Sequence, residues 1–226
     1  MNGNPYADKP DLYFASLRPE MVQYVPSESK DVLEVGCGGG GFGAEVKKAR
    51  RARITGIEPF ANAADAAATR LDEVLQTSAE EGLYRLLGRT FDCIVFNDVL
   101  EHLVDPESAL IAAAALLRPQ GTLVASIPNM RYLPVLRGLV LRGEWRYTNE
   151  GVLDRTHLRF FTQKSIAEMF TVCGYNLDLL EGINPRPTSW KFRALNMLAS
   201  NAFDDTRYLQ FAVVATLPGS PPIASA

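Results

Sequence analysis

The chain carries only two histidines, His102 and His157, and each falls in a segment dense in groups that move protons or hold cations. Asp98-Val-Leu-Glu-His102 puts two carboxyls and an imidazole within five residues. Leu153-Asp-Arg-Thr-His-Leu-Arg-Phe-Phe-Thr162 mixes Asp154, Arg155, His157 and Arg159 with two phenylalanines. An imidazole titrates near neutrality and suits general acid–base work. A third cluster has a different use. Val32-Leu-Glu-Val-Gly-Cys-Gly-Gly-Gly-Gly-Phe-Gly43 sets Gly36, Gly38 and Gly41 at G-x-G-x-x-G spacing, with Glu58 about twenty residues on. That spacing suits a tight turn, close backbone approach to a nucleotide and a carboxylate on ribose hydroxyls. So many glycines cost folding entropy that an ordinary turn has no need to incur.

Glu34 decides which nucleotide. It stands two residues before Gly36, where a pyrophosphate would face its carboxylate. Like charges at short range in a partly buried site are costly. A ligand with an ammonium and a sulfonium and no phosphate is favoured, which is S-adenosylmethionine. The Tyr-x-x-x-Lys pair used by short-chain dehydrogenases is also absent from the chain.

The elements that must position these residues alternate in type. Strands are predicted over Asp31–Val35, Arg53–Glu58, Glu73–Thr77, Phe91–Phe96 and Gly121–Ile127. Helices are predicted over Gly43–Arg51, Ala61–Leu71 and Pro106–Leu117, with a lead-in helix over Pro19–Val25. Thr162 caps a helix to Cys173 that Gly174 stops. Two more strands are expected over Tyr175–Leu180 and Leu209–Thr216. This alternation predicts a doubly wound α/β sheet, mostly parallel, with helices on both faces. Residues 1–217 read as one domain, with covers at 131–161 and 182–205 and a disordered tail from Pro218.

Four motifs in order resemble one family. Leu33-Glu-Val-Gly-Cys-Gly, Gly56-Ile-Glu-Pro59, Phe91-Asp-Cys-Ile-Val-Phe-Asn-Asp-Val-Leu-Glu-His-Leu103 and Leu117-Arg-Pro-Gln-Gly-Thr-Leu123 look like the successive motifs of class I S-adenosylmethionine-dependent methyltransferases. The resemblance covers about residues 30–130. It implies a Rossmann-like seven-stranded sheet whose last strand is reversed. It also implies that Glu34, Gly36 and Gly38 face the methionine part, that Glu58 and Pro59 hold the ribose, and that Asn97 and Asp98 lie near the cofactor. Many members carry an aspartate near the adenine amine after the third strand. Here the segment is Thr77-Ser78-Ala79-Glu80, and Ser78 is the substitute. A softer resemblance, from Pro128-Asn-Met-Arg131 to Leu158-Arg-Phe-Phe-Thr162, is to a subgroup associated with glycan and secondary-metabolite assembly.

Methyl transfer to a hydroxyl needs a base as well as positioning. His157 is the first candidate and His102 the second. Asp98, Glu101, His102 and His157 also form a mixed carboxylate and imidazole set suited to a divalent metal. That set is similar to the Glu-x-x-Glu-His pattern of metal-dependent members, with Asp98 one methylene shorter than the first glutamate. Between Arg131 and Arg159 there are six arginines, no lysine and three acids. With Trp145 and Tyr147 interleaved, this stretch marks Arg131, Trp145, Tyr147, Arg155 and Arg159 as candidate contacts for an anionic acceptor, such as a nucleotide sugar or lipid-linked glycan. The segment around Tyr13 and Arg18 is expected to close over the cofactor.

Composition bounds the rest. Hydrophobic residues are 47% and the formal charge is −3, against a nucleic-acid partner. The longest apolar run, Ala109–Leu117, is nine residues, far short of a membrane span. Weak peripheral contact through Arg131–Arg142 is compatible with the pattern. Three cysteines without a Cys-x-x-Cys pair suit a cytoplasmic setting, and a monomer or homodimer is expected. The rival readings are an amine N-methyltransferase, an NAD-dependent oxidoreductase and a non-catalytic cofactor-binding subunit.

Overall fold

The computed structural model describes residues 17–219. Seven strands form one sheet in the order β3-β2-β1-β4-β5-β7-β6. They are β1 (Asp31–Val35), β2 (Arg53–Ile57), β3 (Glu73–Leu75), β4 (Phe91–Asn97), β5 (Leu117–Pro128), β6 (Asn176–Pro185) and β7 (Tyr208–Thr216). The first five pair in parallel. β7 runs antiparallel to both β5 and β6, which is the reversed last strand.

The central strands are buried on both faces, as near-continuous apolar runs in parallel sheets are. Alternation in β1 and β4 divides the core. Leu33, Val35, Ile94 and Phe96 join one cluster, and Val32, Cys93 and Val95 join the other. Helices α1 (Pro19–Val22), α2 (Gly41–Arg50) and α3 (Ala61–Ala68) cover the second cluster. Helices α4 (Ala79–Arg85), α5 (Pro106–Ala114) and α7 (Gln163–Val172) cover the first. Local signals set their ends. Asp105 accepts from the Ser108 N–H at 3.0 Å to start α5. Thr162 and Ser165 form a capping box on α7.

Several boundaries differ from the expectation. α4 was not anticipated, although Ser78-Ala-Glu-Glu81 is a capping signature and the Ser78 hydroxyl accepts from the Glu81 N–H. β5 begins at Leu117 instead of Gly121, because Phe91 pairs with Leu117 before an irregularity around Pro119 and Gln120. β6 runs on to Pro185, so the predicted cover from Gly182 starts as strand. The remainders of the two covers hold α6 (Leu133–Arg142) and α8 (Trp190–Leu198). Asn129, fully buried, ties both to the sheet. It bridges to Phe161 at the base of the first cover. Its amide donates to the Asp205 and Tyr208 carbonyls at 2.8 and 3.0 Å, at the base of the second.

Candidate active site

Strand order reverses between β1 and β4, and ligands of such sheets bind at the carboxyl ends of the strands beside that reversal. The glycine turn leaves β1 there. Gly36 has φ 70°, and a Cβ on it would meet Val99 at 2.5 Å. Glu58, at the end of β2, is fixed by the turn itself. Its two oxygens accept from the Gly38 N–H at 2.8 Å and the Phe60 N–H at 3.1 Å. A carboxylate has about four acceptor sites, so two remain for hydroxyls of a ligand. Glu34 is buried and its Oε2 has no hydrogen-bond partner among the described residues. Burial pushes its carboxyl up to about 8, against the lowering effect of the Gly43 N–H and with a smaller rise from Glu58. A side chain on Gly43 would sit 2.7 Å from that oxygen, so the glycine keeps room for the carboxyl.

The end of β4 supplies the second half of the site. The buried Asn97 amide has no hydrogen-bond partner among the described residues, and Asn97 lines the same cavity. Asp98 turns the chain at φ 54°. Its carboxyl takes a contact from Arg18, a hydrogen bond from Gln210 at 2.5 Å and one from Ser126 at 3.2 Å. A 3-10 turn over Leu100–His102 follows, and the loop of His157 is clamped to it. The Leu158 and Arg159 N–H groups both donate to the Glu101 carbonyl, at 2.8 and 3.0 Å.

This clamp brings the two histidines together. Their ring centroids are 4.7 Å apart. His102 Nδ1 lies 3.0 Å from the Thr156 carbonyl, and His157 Nδ1 lies 3.0 Å from the Val152 carbonyl. Each ring therefore directs its Nε2 the other way. His157 Nε2 is 3.9 Å from Glu101 Oε1. Both Glu101 oxygens are buried without a hydrogen-bond partner among the described residues. Burial holds the Glu101 carboxyl well above the ordinary range, and the neighbouring Asp98 raises it further. One donor atom from each of Glu101, His102 and His157 lies within 4.8 Å of the others. An imidazole whose Nδ1–H is held by a carbonyl is also the usual arrangement of a metal-ligating histidine. Asp98 is outside this group, since Arg18, Gln210 and Ser126 engage it.

One cavity of about 710 Å³ joins these pieces, within the range of cofactor sites. Glu34, Gly36, Gly38, Glu58, Pro59, Ser78, Asn97 and Asp98 all line it, as do Glu101, His102 and His157. Arg18 lines it too, and Tyr13 lies outside the described residues. The expected acceptor contacts are not gathered there. Arg131 is turned to Asp205 at 2.6 Å and to the Ala202 carbonyl at 2.7 Å. Arg159 donates to the Val104 carbonyl, and Arg155 is exposed. Trp145 packs edge-on against Phe160 and Tyr147, at 5.5 and 6.5 Å between centroids, and neither Trp145 nor Tyr147 lines the cavity. Gln210 was not anticipated, and its signal was a single amide inside the apolar strand β7.

The fold and this cavity define a class I, Rossmann-like methyltransferase that uses S-adenosylmethionine. The methyltransferase-domain family matches residues 8–180, and the chain belongs to it. A ubiquinone biosynthesis O-methyltransferase of Aromatoleum aromaticum is 37% identical over 166 residues, covering 70% of this chain and 69% of the relative. One from Actinobacillus pleuropneumoniae is 32% identical over 201 residues, covering 82% and 84%. Among solved structures, a SAM-dependent methyltransferase from Archaeoglobus fulgidus superposes with a TM-score of 0.65 at 18% identity, over 91% of this chain and 93% of that one. A plantazolicin methyltransferase in complex with SAH gives 0.61 at 16% identity, over 93% and 86%. Among the described residues no helix is long and apolar enough to cross a membrane.

Proposed function

We propose that this enzyme transfers the methyl group to a hydroxyl of a sugar, a glycan-linked compound or a related small metabolite. The observation that carries the reading is the pair of imidazoles beside Glu101, with both Nδ1 atoms fixed and their Nε2 sides turned away from those anchors. Such a pair suits proton removal from oxygen, which an unprotonated amine acceptor does not need. The relatives named as O-methyltransferases support oxygen over nitrogen.

In this reading Glu34 receives the cofactor's ammonium, since Glu34 lines the cavity and its buried Oε2 has no hydrogen-bond partner among the described residues. Glu58 keeps two acceptor sites for the ribose hydroxyls. Ser78 uses an oxygen lone pair to cap α4 and retains its proton to donate toward the base. Asn97 offers its amide to the cofactor or the acceptor. S-adenosylmethionine supplies an electrophilic methyl group on a sulfonium. His157 would accept the acceptor hydroxyl's proton at Nε2 as oxygen bonds to the methyl carbon and the carbon–sulfur bond breaks to leave S-adenosylhomocysteine, and His102 is the alternate base. The cover over 150–157 helps exclude water.

A second reading has its own observation. Glu101, His102 and His157 would hold a divalent cation, which would supply positive charge beside an acceptor oxygen. The orphaned Glu101 oxygens favour it, and the engagement of Asp98 limits the set to three protein ligands. Three free, buried cysteines support a reducing, cytoplasmic setting.

Methylation assays across hydroxyl and amine acceptors test the reading. His157→Ala is expected to lower kcat by about 10²–10⁴ with S-adenosylhomocysteine binding intact. Full activity in a His102→Ala/His157→Ala double variant would remove both as bases. Loss of activity in EDTA, restored by one divalent ion, selects the second reading.

A further inference from the structure

A second recess, of about 350 Å³, lies between α6 and α8. Arg137, Arg142, Arg186 and Arg207 line it, and no carboxylate does. These four arginines are exposed around one small recess and give it a positive potential that an anion would neutralise. Some of this charge is answered elsewhere. Arg142 reaches Glu144 at 3.1 Å, and Arg207 lies over the Tyr208 ring at 4.6 Å from its centroid. Arg137 and Arg186 have no acidic partner among the described residues. The remaining wall is the start of α8. Ser189 there caps the Phe192 N–H, and the N–H groups of Trp190 and Lys191 have no carbonyl of their own helix to bond.

The position of this recess connects it to the methyl-transfer cavity. Asn184 of β6 lines the cavity and Arg186 lines the recess. Gln210 of β7 lines the cavity, and Arg207, just before that strand, lines the recess. Pro128 ends β5 in the cavity, and Leu133 opens α6 in the recess. Both openings therefore share the ends of the same three strands. We propose that the recess between α6 and α8 binds a phosphate or diphosphate ester carried by the acceptor, while the hydroxyl to be methylated lies in the neighbouring cavity. Guanidinium forks match phosphate oxygens two at a time, as isolated ammonium groups do not. The concave shape favours a compact ester group over a flat lipid surface. The assignment rests on the methyl-transfer reading for the role of the acceptor.

The test is calorimetric titration of inorganic pyrophosphate into the full-length protein, with S-adenosylhomocysteine titrated in parallel. Pyrophosphate is expected to bind the wild type. Affinity should fall at least about tenfold in Arg137→Ala/Arg186→Ala. The S-adenosylhomocysteine affinity of that variant should be unchanged, which also shows that it folds. Lys47→Ala/Lys48→Ala removes two charges from α2 and should leave pyrophosphate affinity as it was. Equal loss in both variants, or no binding by the wild type, overturns the proposal. So does co-sedimentation with phosphatidylglycerol vesicles that is lost in the arginine variant while pyrophosphate binds neither protein. The two readings fail separately: S-adenosylhomocysteine binding tests methyl transfer, and pyrophosphate binding tests the recess.

Discussion

Protonation of Glu34 should control cofactor affinity. Its carboxyl is buried and held at about 8, with desolvation as the main cause. At pH 7 most copies are neutral, and ionising one costs about 1.4 kcal/mol. An ammonium favours the ionised form, so binding must expel the proton. For a single site titrating at about 8, affinity for S-adenosylhomocysteine should rise about fifty-fold from pH 6 to pH 8, then level off. The sign for the ligand-free protein is opposite. The folded value lies above the ordinary 4.5, so the neutral group's contribution to stability is complete below pH 4.5 and is lost as pH rises through about 8. Calorimetry at pH 6.5 in buffers of different ionisation enthalpy should report nearly one proton released per ligand bound. Glu34→Gln cannot titrate, so its affinity should stay level between pH 6 and 8 and its proton release should fall to near zero. At pH 8 it should bind about 10–100-fold more weakly than the wild type, the worth of a charge-assisted hydrogen bond. Level affinity in the wild type, or the same pH slope in Glu34→Gln, would show that Glu34 does not receive the ammonium.

Other outcomes follow from single contacts. Gly36→Ala places a methyl group in a left-handed position and against Val99, at about 1–2 kcal/mol for the backbone alone, so Tm should fall by about 2–8 °C. Val99→Ala in the same chain should restore part of that loss, and simple additivity of the two would refute the clash. Tyr175→Phe removes the 2.7 Å hydrogen bond to the buried Leu110 carbonyl, and urea unfolding should show about 1–3 kcal/mol lost with kcat unchanged. Arg131→Ala breaks its contacts to Asp205 and Ala202, which join the two covers. It should raise KM for the acceptor more than it lowers kcat, and an unchanged KM would separate this pair from acceptor binding.

The half of the site built by short segments was legible in the chain. A glycine turn, the acid before it and the acid after the next strand are fixed by local backbone geometry, so spacing alone placed Glu34, Gly36, Gly38 and Glu58 in one cavity. The acceptor side was not legible in the same way, because its arginines are sorted by partners far along the chain. Arg131 and Arg137 lie six residues apart in one basic stretch. Arg131 meets Asp205, seventy-four residues on, and is neutralised. Arg137 meets the Arg186 and Arg207 side of the second cover and is left among like charges. No periodicity distinguishes the two, since both are cations near the same helix. The difference arises only when β7 folds back between β5 and β6 and brings the second cover against the first. The same fold-back delivers Gln210 to Asp98, which draws Asp98 out of the ligand set that its spacing from Glu101 and His102 suggested. A reversed strand of this kind lets two covers remote in sequence share one boundary. That is also why the charge left over at the boundary, and not the basic stretch as a whole, points to the anionic part of the acceptor.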